Sequence, residues 1–130
     1  MSALSDYAEN KVLNALLGNA TFTTPSNVYL GLATASFNDD GSGTELSGNN
    51  YSRVSASFTS ATGTGGTTSN SSAIEFAAAT GSWGSVSHFG LFDASTSGNL
   101  LCHGAFSSAK TITTGDILRI ATGELDVTIA

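Results

Sequence analysis

The sequence predicts an all-β fold, an antiparallel β-sandwich or jelly-roll-like barrel of about eight strands with one N-terminal α-helix. Three observations carry that expectation. Charged residues make up only 11% of the chain, well under the roughly 25% of an average globular domain, which leaves little material for long solvated helices. Ser, Thr, Asn and 15 glycines supply turns, while Thr, Val, Ile and Phe favour strands. Short apolar stretches also recur at intervals of roughly ten residues between turn signals. At 130 residues the chain fits one domain, 1–130, large enough for a single core. Within it, 1–18 is read as the helix and 19–130 as the sandwich.

The helix follows from its caps and its periodicity. Ser5 is a suitable N-cap, Asp6 and Glu9 lie near the positive end of the dipole, and Gly18 stops the run. Leu4, Ala8, Val12, Ala15 and Leu16 form one apolar stripe. Leu13 and Leu17 fall on the polar side, so the second half is apolar nearly all round and is expected to be buried more deeply than a surface helix. Its cover is either the end of its own sandwich or a neighbouring subunit, and in the second case Leu13 and Leu17 are the interface residues.

The strands are read from alternation. Val28 to Thr34 places Val28, Leu30 and Leu32 on one side. Arg53 to Phe58 turns Val54, Ala56 and Phe58 inward and Arg53 outward. Ala73 to Ala77 is short, with Ile74 and Phe76 on one face. Val86 to Phe92 is apolar on both faces, as expected of a strand covered on two sides. Asp93 to Asn99 reverses the chain, and Leu100 to Phe106 returns to complete a central hairpin. Lys110 to Thr113, Ile117 to Thr122 and Leu125 to Ile129 complete the set. Two stretches read as loops: the polar Ser36 to Asn50, and the near-low-complexity TSATGTGGTTSNSS from Thr59 to Ser72.

Charge and motif content narrow the function. The net charge is −6, with four cations, Lys11, Arg53, Lys110 and Arg119, scattered along the chain; phosphate-backbone binding needs several on one face, so no nucleic-acid partner is expected. No run of about 18 apolar residues and no basic-then-apolar leader occurs, so a soluble, unsecreted protein without a membrane partner is expected. The single cysteine, Cys102, lies in an apolar strand and reads as a buried thiol.

Candidate chemistry concentrates in the hairpin, where His88, His103, Cys102 and Asp93 lie close in sequence. Strand alternation sends Cys102 and His103 to opposite faces, so three metal ligands do not converge. The run Asp39-Asp40-Gly41 fails as a calcium loop, because aligning Gly41 at the sixth position puts serines at both ligand ends. The glycines of 59–72 lack the lysine of a phosphate cradle. A strand–helix nucleophile turn is absent, and the carboxylates Asp39, Glu45, Glu75 and Asp93 are scattered. The reading is a non-enzyme with no cofactor and no metal.

Three stretches give the chain a resemblance to a known family: LSDYAENKVLNALLG from Leu4 to Gly18, TELSGNNYSRV from Thr44 to Val54, and WGSVSHFGLFDASTSGNLL from Trp83 to Leu101. With the ending TGELDVTIA, they cover the chain nearly end to end. In these the chain resembles small virion structural proteins of tailed bacteriophages, described as tail fibre proteins or as capsid decoration (cement) proteins. The resemblance implies a virion component, assembled in the bacterial host cytoplasm, with no catalytic residues to carry over. The leading expectation is a decoration protein, a homotrimer binding major capsid protein on the outer head surface, since trimers suit local threefold positions. The alternative is a tail fibre or baseplate component involved in host attachment, partnered by other virion proteins. A third reading is a carbohydrate-binding module using Tyr51 or Trp83 as stacking platforms.

Overall fold

The computed structural model describes residues 2–129; the ends of the expected domain, Met1 and Ala130, lie outside them. The fold is all-β with one short helix. Its centre is the hairpin formed by β6 (Gly84–Phe92) and β7 (Leu100–Ile112). In chain order the earlier elements are β1 (Ser2–Leu4), α1 (Asp6–Leu16), β2 (Val28–Ala33), β3 (Val54–Ala56), β4 (Thr67–Ser69) and β5 (Ile74–Glu75); β8 (Arg119–Ile120) and β9 (Asp126–Thr128) follow the hairpin. A five-stranded antiparallel sheet runs β1-β7-β6-β2-β3, which places β6 in the middle, and two small sheets pair β4 with β9 and β5 with β8.

One face of the main sheet carries the principal core. Leu30 and Leu32 of β2, Phe89 and Leu91 of β6, and Cys102 of β7 are buried there against Ile74, Phe76, Leu118 and Leu125, which come from the segments bearing the two small sheets. An aromatic group closes one end: Tyr51 stacks on Phe76 at 6.2 Å and meets Trp83 edge-on at 5.5 Å. Offset and edge-on pairs of this kind add about 0.5–1.5 kcal/mol beyond their area. Both expected halves of the hairpin are present, joined by a loop in which Asp93 N–H donates to the Asn99 carbonyl at 3.2 Å.

Several boundaries differ from the sequence reading, each for a physical reason. The stretches Leu100 to Phe106 and Lys110 to Thr113 merge into the single strand β7. Val86 pairs with Lys110 and His88 with Ala105, so Ser87 alone faces Phe106 to Ala109; the small polar residues that suggest a break form a bulge. A strand, β1, precedes the helix and pairs Leu4 with Cys102, which takes Leu4 out of the helical stripe. A further strand, β4, lies inside the stretch read as a loop. It is held by a threonine ladder, with Thr67 Oγ1 3.0 Å from Thr128 Oγ1, and by buried Asn70 just beyond it. The Asn70 side chain accepts from Leu125 N–H at 2.9 Å and donates to the carbonyls of Ser72 and Ala121 at 2.9 and 3.0 Å. Fully satisfied buried amides of this kind fix one arrangement of the chain.

The helix has the expected ends. Ser5 Oγ accepts from Ala8 N–H at 3.2 Å and donates to the Leu100 carbonyl, so the N-cap also fastens the helix to β7. Gly18, at φ +75°, closes a Schellman arrangement in which Asn19 N–H donates to the Asn14 carbonyl at 2.9 Å. Its packing differs from expectation. Ala8 is the one buried residue of α1, and the second half projects from the sheet. Periodicity reports how much apolar surface a helix carries, not which molecule covers it.

Candidate functional site

The face of the main sheet opposite the core carries a second, smaller assembly. Gly31 and Gly90 pair directly across β2 and β6 and open a trough in which Phe37, Phe92 and Leu100 are buried. A Cβ on Gly31 would lie 2.7 Å from Glu45 Oε2 and 2.9 Å from the Phe92 ring; one on Gly90 would meet Leu100 at 2.8 Å and Phe37 at 3.1 Å. These glycines thus serve close approach rather than chain reversal.

Arg53, on the approach to β3, lies over this trough. Its guanidinium carbon is 3.5 Å from the centroid of the Phe92 ring. Nε donates to Glu45 Oε1 and Oε2 at 3.0 and 2.7 Å, and Nη1 donates to the carbonyls of Ala94 and Ser97, both at 2.8 Å. Its side chain is 9% exposed. One guanidinium therefore clamps the 37–45 loop and the hairpin loop to the sheet. Tyr51 completes the network, its hydroxyl accepting from Leu32 N–H at 2.9 Å and donating to Glu45 Oε2 at 3.2 Å; burial raises its pKa.

Asp93 fixes the hairpin loop from within, accepting from Asn99 N–H at 2.7 Å and Asn99 Nδ2 at 2.9 Å. Partial burial pushes its pKa up, and the Asn99 hydrogen bonds outweigh that and leave it lowered. A carboxylate with a lowered folded pKa contributes stability above its unfolded value and loses it as pH falls through the folded one, so this latch opens only below the ordinary carboxylate range. Between the hairpin loop, the Asp39–Gly41 turn and the first turn of α1 lies a cavity of about 300 Å³.

The residues singled out in the sequence are dispersed across this framework. Cys102 pairs with Leu91 in the ladder and is buried. His103 points to the other face, its Nε2 2.7 Å from Asp39 Oδ1, and His88 Nδ1 lies 2.7 Å from Ser87 Oγ. Among the described residues, no group of three or more His, Cys, Asp and Glu side chains is placed to hold a metal ion. Asp39-Asp40-Gly41 forms a tight turn in which Ser42 N–H donates to Asp40 Oδ1 at 2.8 Å. Tyr51 and Trp83 belong to the aromatic core, with the indole Nε1 donating to the Asn49 carbonyl at 3.0 Å, so neither presents a stacking platform.

Burial pushes the Cys102 thiol pKa up to about 12, and the thiolate is the reactive form. The native protein should therefore resist a thiol-specific reagent at pH 8 and be labelled promptly once denatured. Rapid stoichiometric labelling of the folded chain, followed by mass spectrometry, would contradict this packing.

Leu13 and Leu17 are 55% and 71% exposed, and Leu16, on the same side of the helix, is 77% exposed. Among the described residues nothing covers them. Arg53 is the residue that alternation misjudged: outward from the core face, it is buried on the opposite one. Its signal in the sequence was the pair of mid-strand glycines, which mark a place where another group approaches the sheet.

A bound loop framework on one face and an exposed apolar stretch of helix at one end characterise this β-structural module. Residues 3–128 match the family model described as Podophage GP4 fiber I protein gp80. The chain belongs to that family, and is accordingly a structural component of the bacteriophage virion. No curated protein matches it.

Proposed function

We propose that this chain is a subunit of a phage tail fibre, working in host attachment, and that it assembles as a homotrimer through the projecting half of α1. The family match over residues 3–128 carries the reading, because the family's own description is that of a fibre protein. Between the two virion locations that the sequence suggested, this favours the fibre over the capsid decoration role. The role is architectural rather than catalytic, with other virion proteins as partners, and neither nucleic acid nor a membrane is involved.

The helix supports self-assembly by its chemistry. Leu13, Leu16 and Leu17 follow the i, i+3, i+4 spacing that puts side chains on neighbouring positions of a helix. Three exposed leucines within five residues form a patch of the kind that marks an interaction surface. Three copies related by a threefold axis would bring these patches together and remove them from water.

The test is the mass of the purified chain by light scattering. The wild type should form a trimer, and Leu13→Asn with Leu17→Asn should yield a monomer with unchanged circular dichroism, since neither side chain is packed in the fold. An identical mass for wild type and variant would overturn the assembly.

A further inference from the structure

We propose that the cavity bordered by Tyr7, Asp40, Arg53 and Asn99 is a binding site for a neutral, hydroxyl-rich small molecule of about one sugar ring. It lies apart from the helix patch and is independent of where on the particle the chain stands. The volume of about 300 Å³ is at the lower end of ligand sites, and the walls come from three separate elements: the start of α1, the Asp39–Gly41 turn and the hairpin loop.

The atoms left over by the internal hydrogen bonds define the ligand. Arg53 has committed Nε to Glu45 and Nη1 to two carbonyls; Nη2 remains as a donor, on a side chain more than nine-tenths buried that lines the cavity. Asp40 accepts from Ser42 N–H through Oδ1 at 2.8 Å, and its exposed carboxylate has capacity for further hydrogen bonds. Asn99 has given its backbone N–H and Nδ2 to Asp93, and its amide oxygen remains. Tyr7 adds a phenol that both donates and accepts.

Charge then selects among ligands. An anion satisfied by Arg53 would face the carboxylates of Asp39 and Asp40, and hydrogen bonds from Ser42 hold the Asp40 carboxyl below its ordinary pKa. A cation satisfied by those carboxylates would face the guanidinium. A hydroxyl group meets both, accepting from Nη2 through a lone pair and donating its proton to Asp40, and adjacent hydroxyls on a ring match donors and acceptors set side by side. Both loops are already locked, one by Arg53 and Asp93 and the other by the Asn38–Ser42 turn, so binding requires little further ordering.

The experiment is a two-dimensional NMR titration of the full chain with methyl glycosides of glucose, galactose and rhamnose, with acetate and methylammonium as charged probes. At least one glycoside should shift the amides of Gly41, Ser97, Gly98 and Asn99 saturably, and neither charged probe should do so. Asp40→Asn, whose amide oxygen can still accept from Ser42 N–H, and Tyr7→Phe should each weaken that binding at least tenfold, with Tyr7→Phe leaving the melting temperature unchanged. Absence of a saturable shift with every glycoside, equal response to a charged probe, or full affinity in both variants would overturn the assignment.

Discussion

Replacing Arg53 with alanine should destabilise the protein by about 3 kcal/mol, the lower end of what breaking a buried ion pair costs. The lower end applies because Glu45 remains 23% exposed and water can reach part of the orphaned carboxylate. Three losses combine: the Glu45 carboxylate keeps only the Tyr51 hydroxyl, the Ala94 and Ser97 carbonyls lose their donor, and the Phe92 ring loses the group covering it. Arg53→Lys should recover little, since an ammonium lacks the planar fork that reaches a carboxylate and two carbonyls at once. The check is chemical denaturation with a double-mutant cycle against Glu45→Gln, where a coupling of at least about 1 kcal/mol is expected for a hydrogen-bonded pair. Independent, additive effects would show that the clamp does not act as a unit.

Phe76→Ala should have a still larger effect, about 3–5 kcal/mol. The ring is among the most completely buried side chains and packs against both Tyr51 and Trp83, so its removal leaves a cavity that two rigid aromatics cannot collapse to fill. For a domain of this size the loss corresponds to a fall in melting temperature of roughly 10–20 °C. Because total stability is typically only about 5–15 kcal/mol, the variant should lie close to unfolding at ordinary growth temperatures. Tryptophan fluorescence follows it directly, as Trp83 is the sole tryptophan. A melting temperature within a few degrees of wild type would mean that the aromatic group is not part of the cooperative core.

How far the sequence revealed these features depends on the range of the forces involved. The helix ends at Ser5 and Gly18 were legible because caps are local chemistry, written in one or two residues. The hairpin from Gly84 to Ile112 was legible in its turn and its two strands, but not in the bulge opposite Ser87, which depends on the register chosen by distant partners. Strand β4 was hidden because threonine and serine carry no apolar alternation, and its support comes from Thr128 and from the buried amide of Asn70. The framework around Arg53 was hidden for a different reason. Alternation assigns a residue to one face of a strand, and only the folded chain shows that both faces of this sheet are covered. Leu13 and Leu17 lie out of phase with the apolar stripe, and their exposure in the single chain, where deep burial was expected, follows from the helix being fastened only through its first turns.

The fibre assignment makes a quantitative demand on the particle. Purified virions should contain a few tens of copies of this chain or fewer, measured by quantitative mass spectrometry against the major capsid protein, as a tail-borne fibre requires. A ratio corresponding to hundreds of copies per particle would place the chain on the head lattice and contradict the account.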